Sequence, residues 1–125
     1  MDGNFILQQR DNKPGINNPG MITGFGGAVE ANESTRDAAV RELHEETNID
    51  FSPDELIYLT DIYQPQVNDG APRWVTYFTL PNRDTSHLEV YEGAGYARIS
   101  PTDNFDIIKL SPTVRKALDK LLEIR

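Results

Sequence analysis

The 125-residue chain contains no cysteine. That excludes a disulfide framework, a thiolate zinc site and a cysteine nucleophile. Long apolar runs are also missing. No stretch nears the roughly 18 residues that a membrane span needs, so no membrane partner is expected. The opening Met1-Asp2-Gly3-Asn4 lacks a basic region leading into an apolar one. A secretory signal is therefore not expected, and the cytoplasm is the expected compartment. Positive charge is scarce, with 12 basic residues against 20 acidic ones and a formal net charge of −8. A nucleic-acid-binding surface calls for a basic stripe, so no nucleic-acid partner is expected. Repeats, low-complexity tracts and linkers are absent as well. The length suits one domain over residues 1–125, with one core and no room for a second.

The acidity matters if any ligand is itself anionic. Clustered carboxylates repel phosphate unless divalent cations stand between them. The distribution of acids along the chain therefore decides what the charge means.

Phe5 to Arg10 is a short apolar run ending in polar residues and is expected as a strand. Asp11 to Gly20 contains Pro14, Gly15, Asn17, Asn18, Pro19 and Gly20, which is loop composition. Met21 to Phe25 is expected as a short strand leading into Gly26-Gly27. Ser34 then opens a helix: Ser34-Thr35-Arg36-Asp37 has capping-box spacing, with Asp37 in place of the usual Glu or Gln. Helical character runs to about Thr47. Asn48 follows, a residue type that takes the left-handed conformation past helix ends. Leu56 to Tyr63 is expected as a strand, Pro65 to Pro72 as a loop. Arg73 to Leu80, aromatic and β-branched, is the clearest strand signal. Tyr96 to Ser100 is a further short strand. Ser111 precedes a last helix with Pro112 at its first position, where Val114, Leu118, Leu121 and Leu122 form an apolar stripe. Strands interrupted by one central and one terminal helix imply an α/β layered domain with a mixed sheet.

The central helix carries Arg41-Glu42-Leu43-His44-Glu45-Glu46. At about 100° per residue, Glu42, Glu45 and Glu46 fall within an arc of roughly 100°. Leu43, Val40 and Thr47 lie on an adjoining face. That face is expected to pack on a sheet while the carboxylates point together to one side, with small Ala38 leaving room one turn earlier. Three carboxylates at such spacing repel, by a few tenths of a kcal/mol per pair in an isolated helix. Three helical glutamates by themselves are most often a solvated face, paired here with Arg36 or Arg41. His44 is expected to be an exposed helix residue. Hard divalent ions, however, favour such oxygens, and Mg²⁺ takes one or two carboxylates with water and substrate phosphate.

The surroundings of these acids decide between the two readings. Gly27, five residues, Glu33, seven residues, Arg41-Glu42-Leu43, then Glu45-Glu46, Asn48 and Ile49 resemble the Nudix box at every position but the last glycine, which is Asn48. The flanks Leu7-Gln8-Gln9-Arg10, Pro19-Gly20 and Phe25 to Glu30 resemble the family's strand and loop leading into the box. The resemblance implies an α/β/α sandwich with a mixed β-sheet, the box forming a loop–helix–loop. The strand that usually comes first in the family is expected to be missing, and the open strand edge this leaves would invite a homodimer. Asn48 and Asn32, where the family often has glycine, are residues that tolerate positive φ.

The resemblance further implies hydrolysis of the pyrophosphate bond in a nucleoside diphosphate linked to another moiety, such as a nucleotide or a sugar. Glu42, Glu45 and Glu46 would ligate Mg²⁺ or Mn²⁺, with the Gly27 carbonyl as a further ligand. Arg41 would orient Glu33 and the helix acids. Glu46 and Glu92 are the candidates for the base that takes the water's proton. Arg10 is a candidate phosphate contact, with a solvated strand end as the alternative. Trp74, Tyr77 or Phe78 could stack on a base, although aromatics in a strand more often serve the core. A non-catalytic nucleotide sensor is the alternative to an enzyme.

Overall fold

The computed structural model describes residues 5–10, 20–25, 30–65, 72–81, 86–91 and 95–123. The expected loops at Asp11 to Pro19 and Gln66 to Ala71 lie outside these residues. Five strands and two helices follow in order: β1 (Phe5–Gln9), β2 (Ile22–Thr23), α1 (Thr35–Glu46), β3 (Ile57–Gln64), β4 (Arg73–Thr79), β5 (Tyr96–Ile99) and α2 (Pro112–Glu123), with a 3₁₀ turn at Pro53–Glu55 before β3. Each expected strand and helix is present, with ends within a residue or two, except that the Met21–Phe25 strand shrinks to Ile22–Thr23. Among the described residues, no helix is long and apolar enough to cross a membrane.

The strands form two sheets, one ordered β2-β1-β5 and the other a β3–β4 hairpin. β1 is the middle strand of the first. Gln8 and Gln9 pair with Thr23 and Ile22 on one side, while Phe5 to Gln8 pair with Ile99 to Tyr96 on the other. β1 thus has a described partner on each side, β5 along Phe5 to Gln8 and β2 at Gln8 and Gln9 alone. All these pairs are antiparallel, and among the described residues the parallel component is a single bridge between Ile22 and Leu110. Ile22, Ile99, Phe105 and Leu118 form the core between this sheet and α2, joined by Phe5, Leu7, Ala97, Ile108, Leu110 and Leu122. Val114 and Leu118 of the expected α2 stripe are buried, whereas Leu121 and Leu122 are half-buried.

The hairpin connects to both helices. α2 packs on β3, and the Tyr77 hydroxyl on β4 lies 2.7 Å from Thr113 Oγ1. Gly24 approaches the same ring so closely that a Cβ would stand 3.1 Å from Tyr77 Cε1. At the other end, Arg36 of α1 donates through Nη1 to the carbonyls of Pro53 and Leu56, at 3.1 and 2.7 Å. Its guanidinium also lies 5.0 Å from the Phe78 ring centre, a cation–π contact. Arg36 thus fixes the start of α1 to the start of β3 and the end of β4.

Helix α1 begins as its sequence dictates. Ser34 is extended, and its side chain accepts from the Asp37 amide at 3.0 Å, satisfying one of the otherwise unpaired amides of the first turn. Its burial reaches beyond the expected face, on which Thr47 is 3% exposed. Ala38, at 4% exposure, and Glu46, at 3%, are its most buried residues, while Val40 and Leu43 are only half-buried. Ala38, Glu42 and Glu46 follow one another at four-residue intervals on one stripe, along which Glu46 is buried and Glu42 half-buried, while Glu45 stays exposed. Ser34→Ala should cost about 1 kcal/mol of stability, read as a lower midpoint in urea unfolding. An unchanged midpoint would mean that the Ser34 cap contributes nothing.

Candidate active site

The turn before α1 prepares the site. Glu33 N–H donates to the Glu30 carbonyl at 3.2 Å, closing a turn in which Asn32 has φ 63°. Among the described residues it is the sole non-glycine at positive φ. Asn tolerates this region because its short polar side chain can bond locally, so the expectation for Asn32 is met. The turn brings the Glu33 carboxylate back to accept from the Glu30 amide at 2.9 Å.

Arg41, two turns into the helix, is the centre of the cluster. It grips Glu33 with two parallel bonds, Nε to Oε2 at 2.8 Å and Nη2 to Oε1 at 3.0 Å, the fork geometry that favours arginine over lysine. Its Nη1 lies 2.8 Å from Glu42 Oε1, 3.6 Å from Glu45 Oε2 and 3.6 Å from Glu30 Oε1. Arg41 therefore contacts Glu33 and two of the helix acids. The guanidinium beside it, with the Glu30 amide second, holds the Glu33 carboxyl at about 2, below its ordinary 4.5. Glu33 and Glu42 reciprocate by raising the Arg41 pKa still further. Glu30 joins the cluster without having been expected there. Its position three residues before Glu33, across the Asn32 turn, was the signal.

Three predicted ligands are described, and they divide. Glu42 and Glu45 meet at one nitrogen of Arg41, with side-chain exposures of 15% and 59%. Glu46 is buried on the inward side of the helix. Among the described residues no three His, Cys, Asp or Glu side chains stand close enough together to hold a metal ion. The donors nonetheless fit a hard divalent cation in kind. They are carboxylate oxygens from successive positions of one helix, and two of them already share one cationic group. Arg41 takes the cation's part for Glu42 and Glu45, and a divalent ion would have to draw them from it towards Glu46. Gly27 and Glu92 lie outside the described residues.

The helix end departs from expectation. Thr47 is extended, at φ −140° and ψ 167°, and Asn48 is not among the positive-φ residues. Its side chain instead donates to the His87 carbonyl at 2.9 Å and accepts from the Glu89 amide at 2.8 Å. A strand-like partner thus replaces the left-handed residue as the way the helix stops. His44 is exposed, as expected, with its ring centre 4.3 Å from that of Phe51.

The candidate substrate contacts sit apart from the acids in character. Arg10 is half-buried at the end of β1, its amide donating to the Met21 carbonyl at 2.9 Å. Trp74 is 67% exposed, 5.4 Å from the Tyr63 ring in an edge-on pair. Of the three aromatics considered for base stacking, Tyr77 is tied to α2 and Phe78 lies under Arg36, so Trp74 alone is open. These three share one strand, where period-2 alternation sets Tyr77 apart but cannot separate Trp74 from Phe78, which lie on the same face.

Removing the lowered carboxyl should alter the acid limb of stability. A carboxylate held below its unfolded value stabilises the fold fully above about pH 4.5, and that contribution is lost as pH falls towards about 2. Glu33→Gln should therefore be less stable than wild type at neutral pH, with the gap closing between those limits. Urea midpoints measured across that range test this, and a gap independent of pH would contradict it.

Comparison with known proteins accords with this geometry. A family model described as the NUDIX domain matches residues 1–121. A zebrafish (Danio rerio) protein named m7GpppN-mRNA hydrolase NUDT17 is 38% identical over 73 residues, which is 52% of this chain and 24% of that protein. The chain thus spans about a quarter of the length of that curated relative. The solution structure of the E. coli ORF135 protein aligns over all of this chain and 84% of its own, at 25% identity and a TM-score of 0.75. A MutT NUDIX hydrolase from Burkholderia pseudomallei shares the fold over 97% of this chain and 90% of its own, at 20% identity and a TM-score of 0.78. With the box residues, the Arg41 cluster and a family match over nearly the whole length, the chain belongs to the Nudix family, and its α/β architecture is the Nudix fold.

Proposed function

We propose that residues 1–125 form one Nudix-type pyrophosphohydrolase domain, dependent on Mg²⁺ or Mn²⁺, acting on a small nucleoside diphosphate linked to another moiety. The observation that carries this reading is the gathering of Glu42 and Glu45 on one cationic nitrogen, with Glu46 one position further along the helix. Acids gathered on one cationic group, at box spacing, support a reading in terms of phosphate chemistry.

In the reaction, a water oxygen bonds to one phosphorus while that phosphorus releases the bridging oxygen. A divalent cation, when bound, lowers the pKa of water and offsets phosphate charge. Glu42, Glu45 and Glu46 would hold it, with the Gly27 carbonyl. Either Glu46 or Glu92 takes the water's proton. Arg41 keeps Glu33, Glu42 and Glu45 in register and does not itself meet the substrate, since its donors are committed to carboxylates. Arg10 is proposed for a phosphate and Trp74 for a base, the latter supported by its exposure.

Phosphate release from a panel of nucleoside-diphosphate derivatives, with Mg²⁺ or Mn²⁺, tests the reading. Glu45→Gln and Glu46→Gln should each lower kcat by about a hundredfold or more on whichever substrate is turned over. Wild-type protein that binds a nucleotide tightly without turnover would make the chain a sensor instead.

Metal should also stabilise the fold, because it relieves repulsion among acids that the unfolded chain keeps apart. At a hundred times its dissociation constant, a cation binding only the folded state adds about 2.7 kcal/mol. A melting temperature unchanged by millimolar Mg²⁺ and Mn²⁺ would remove the basis for the metal site.

A further inference from the structure

Helix α1 does not end in open chain. Beyond Glu46 the backbone runs beside residues 87–91 in an antiparallel bridge between Thr47 and Val90. The Tyr91 amide donates to the Glu46 carbonyl at 2.8 Å, and the Asn48 amide donates to the Glu89 carbonyl at 3.2 Å. A carbonyl in the last turn of a helix has no partner within the helix. Here the Glu46 carbonyl finds one some 45 residues later, so the 87–91 segment serves as the cap of α1.

Asn48 fastens that segment with its side chain. Its Nδ2 reaches the His87 carbonyl and its Oδ1 takes the Glu89 amide. These are the two groups that a neighbouring strand would offer, so the side-chain amide extends the two-stranded clip by one more pair of bonds. Thr47 adds a local lock: its hydroxyl donates to the Leu43 carbonyl at 2.8 Å and accepts from the Ile49 amide at 3.2 Å. Glu46 and Thr47, at the seam, are each 3% exposed.

The position held by Asn48 is the one where the box has glycine. Glycine ends a helix by taking the left-handed conformation, with no side chain to reach across. Asn48 has neither that backbone nor that limitation. The departure from the box exchanges a backbone stop for a side-chain tie. The tie lies two residues beyond Glu46, the buried acid of the three, whose carbonyl takes the Tyr91 amide of the same clipped segment. Last turns fray, and like charges at Glu42 and Glu46, four residues apart, push this one to do so.

We infer that Asn48 is a positioning residue for the metal site: by clipping residues 87–89 to the end of α1, its side chain holds Glu46 in place for the cation. The inference rests on the metal-binding reading of Glu42, Glu45 and Glu46 above. It assigns a role to a residue that contacts neither metal nor substrate, through a tie that a glycine cannot make.

Asn48→Gly and Asn48→Ala, with Asn104→Ala as a remote control that also removes a side-chain cap on a backbone amide, give the test. Hydrogen exchange at the Glu89 and Tyr91 amides should accelerate about tenfold or more in both Asn48 variants and not in the control. Mn²⁺ affinity, measured by titration without substrate, should fall by about tenfold in both, the scale on which outer supports of metal ligands act, and stay at the wild-type value in the control. If wild type binds Mn²⁺ and both Asn48 variants bind it equally well, Asn48 is a structural tie only and the inference fails alone. Wild-type protein that takes up no Mn²⁺ overturns the functional reading, and this inference with it.

Discussion

One guanidinium holds together side chains that their own charges would scatter. Arg41 touches Glu33, Glu42, Glu45 and Glu30 within 4 Å, in a chain that already carries eight excess negative charges. The three short contacts, two to Glu33 and one to Glu42, are charge-assisted hydrogen bonds, and the two at 3.6 Å are Coulombic only. Without that cation the first two turns of α1 and the turn before them would face each other as like charges. With it, the Glu30–Glu33 turn and the acids at Glu42 and Glu45 become one unit.

That constraint reorganises the packing around it. Apolar burial is concentrated elsewhere, between β1, β2, β5 and α2, where Ile22, Ile99, Phe105 and Leu118 meet. α1 contributes little to this core and is held by polar and cation–π contacts instead: Arg36 to the hairpin, and the 87–91 clip to its far end. A helix anchored at both ends by directional bonds can offer the face between them to chemistry. Functional sites are often carried by elements whose stability comes from their surroundings and not from their own apolar face.

The parts of the fold legible in the sequence were the local ones. Ser34 caps α1 because its hydroxyl and the Asp37 amide are three residues apart, a distance set by helix geometry whatever the rest of the chain does. Pro112 opens α2 and the aromatic run from Arg73 makes a strand for similarly short-range reasons. Arg41 and the four acids around it lie within 16 residues, so their association was also within reach of spacing arguments, although Glu30 went unnoticed. The apolar face of α1 was legible, with Thr47 buried and Val40 and Leu43 half-buried, but the burial of Glu46 beside it was not. Hydrophobic periodicity names the face that prefers burial in isolation, and it cannot count the polar contacts available to the adjoining side.

What the sequence by itself determined, then, is which residues form the helix, where it starts, and that a box of acids rides on it around one arginine. Those are matters of periodicity and of contacts between near neighbours. The tertiary structure decided that β1 lies between two strands, that Glu46 is the buried acid and Glu45 the exposed one, and that Asn48 ends the helix through His87 and Glu89. Each of these depends on a partner tens of residues away. Whether such a partner arrives at bonding distance is settled by the packing of the whole chain, and no local preference encodes it.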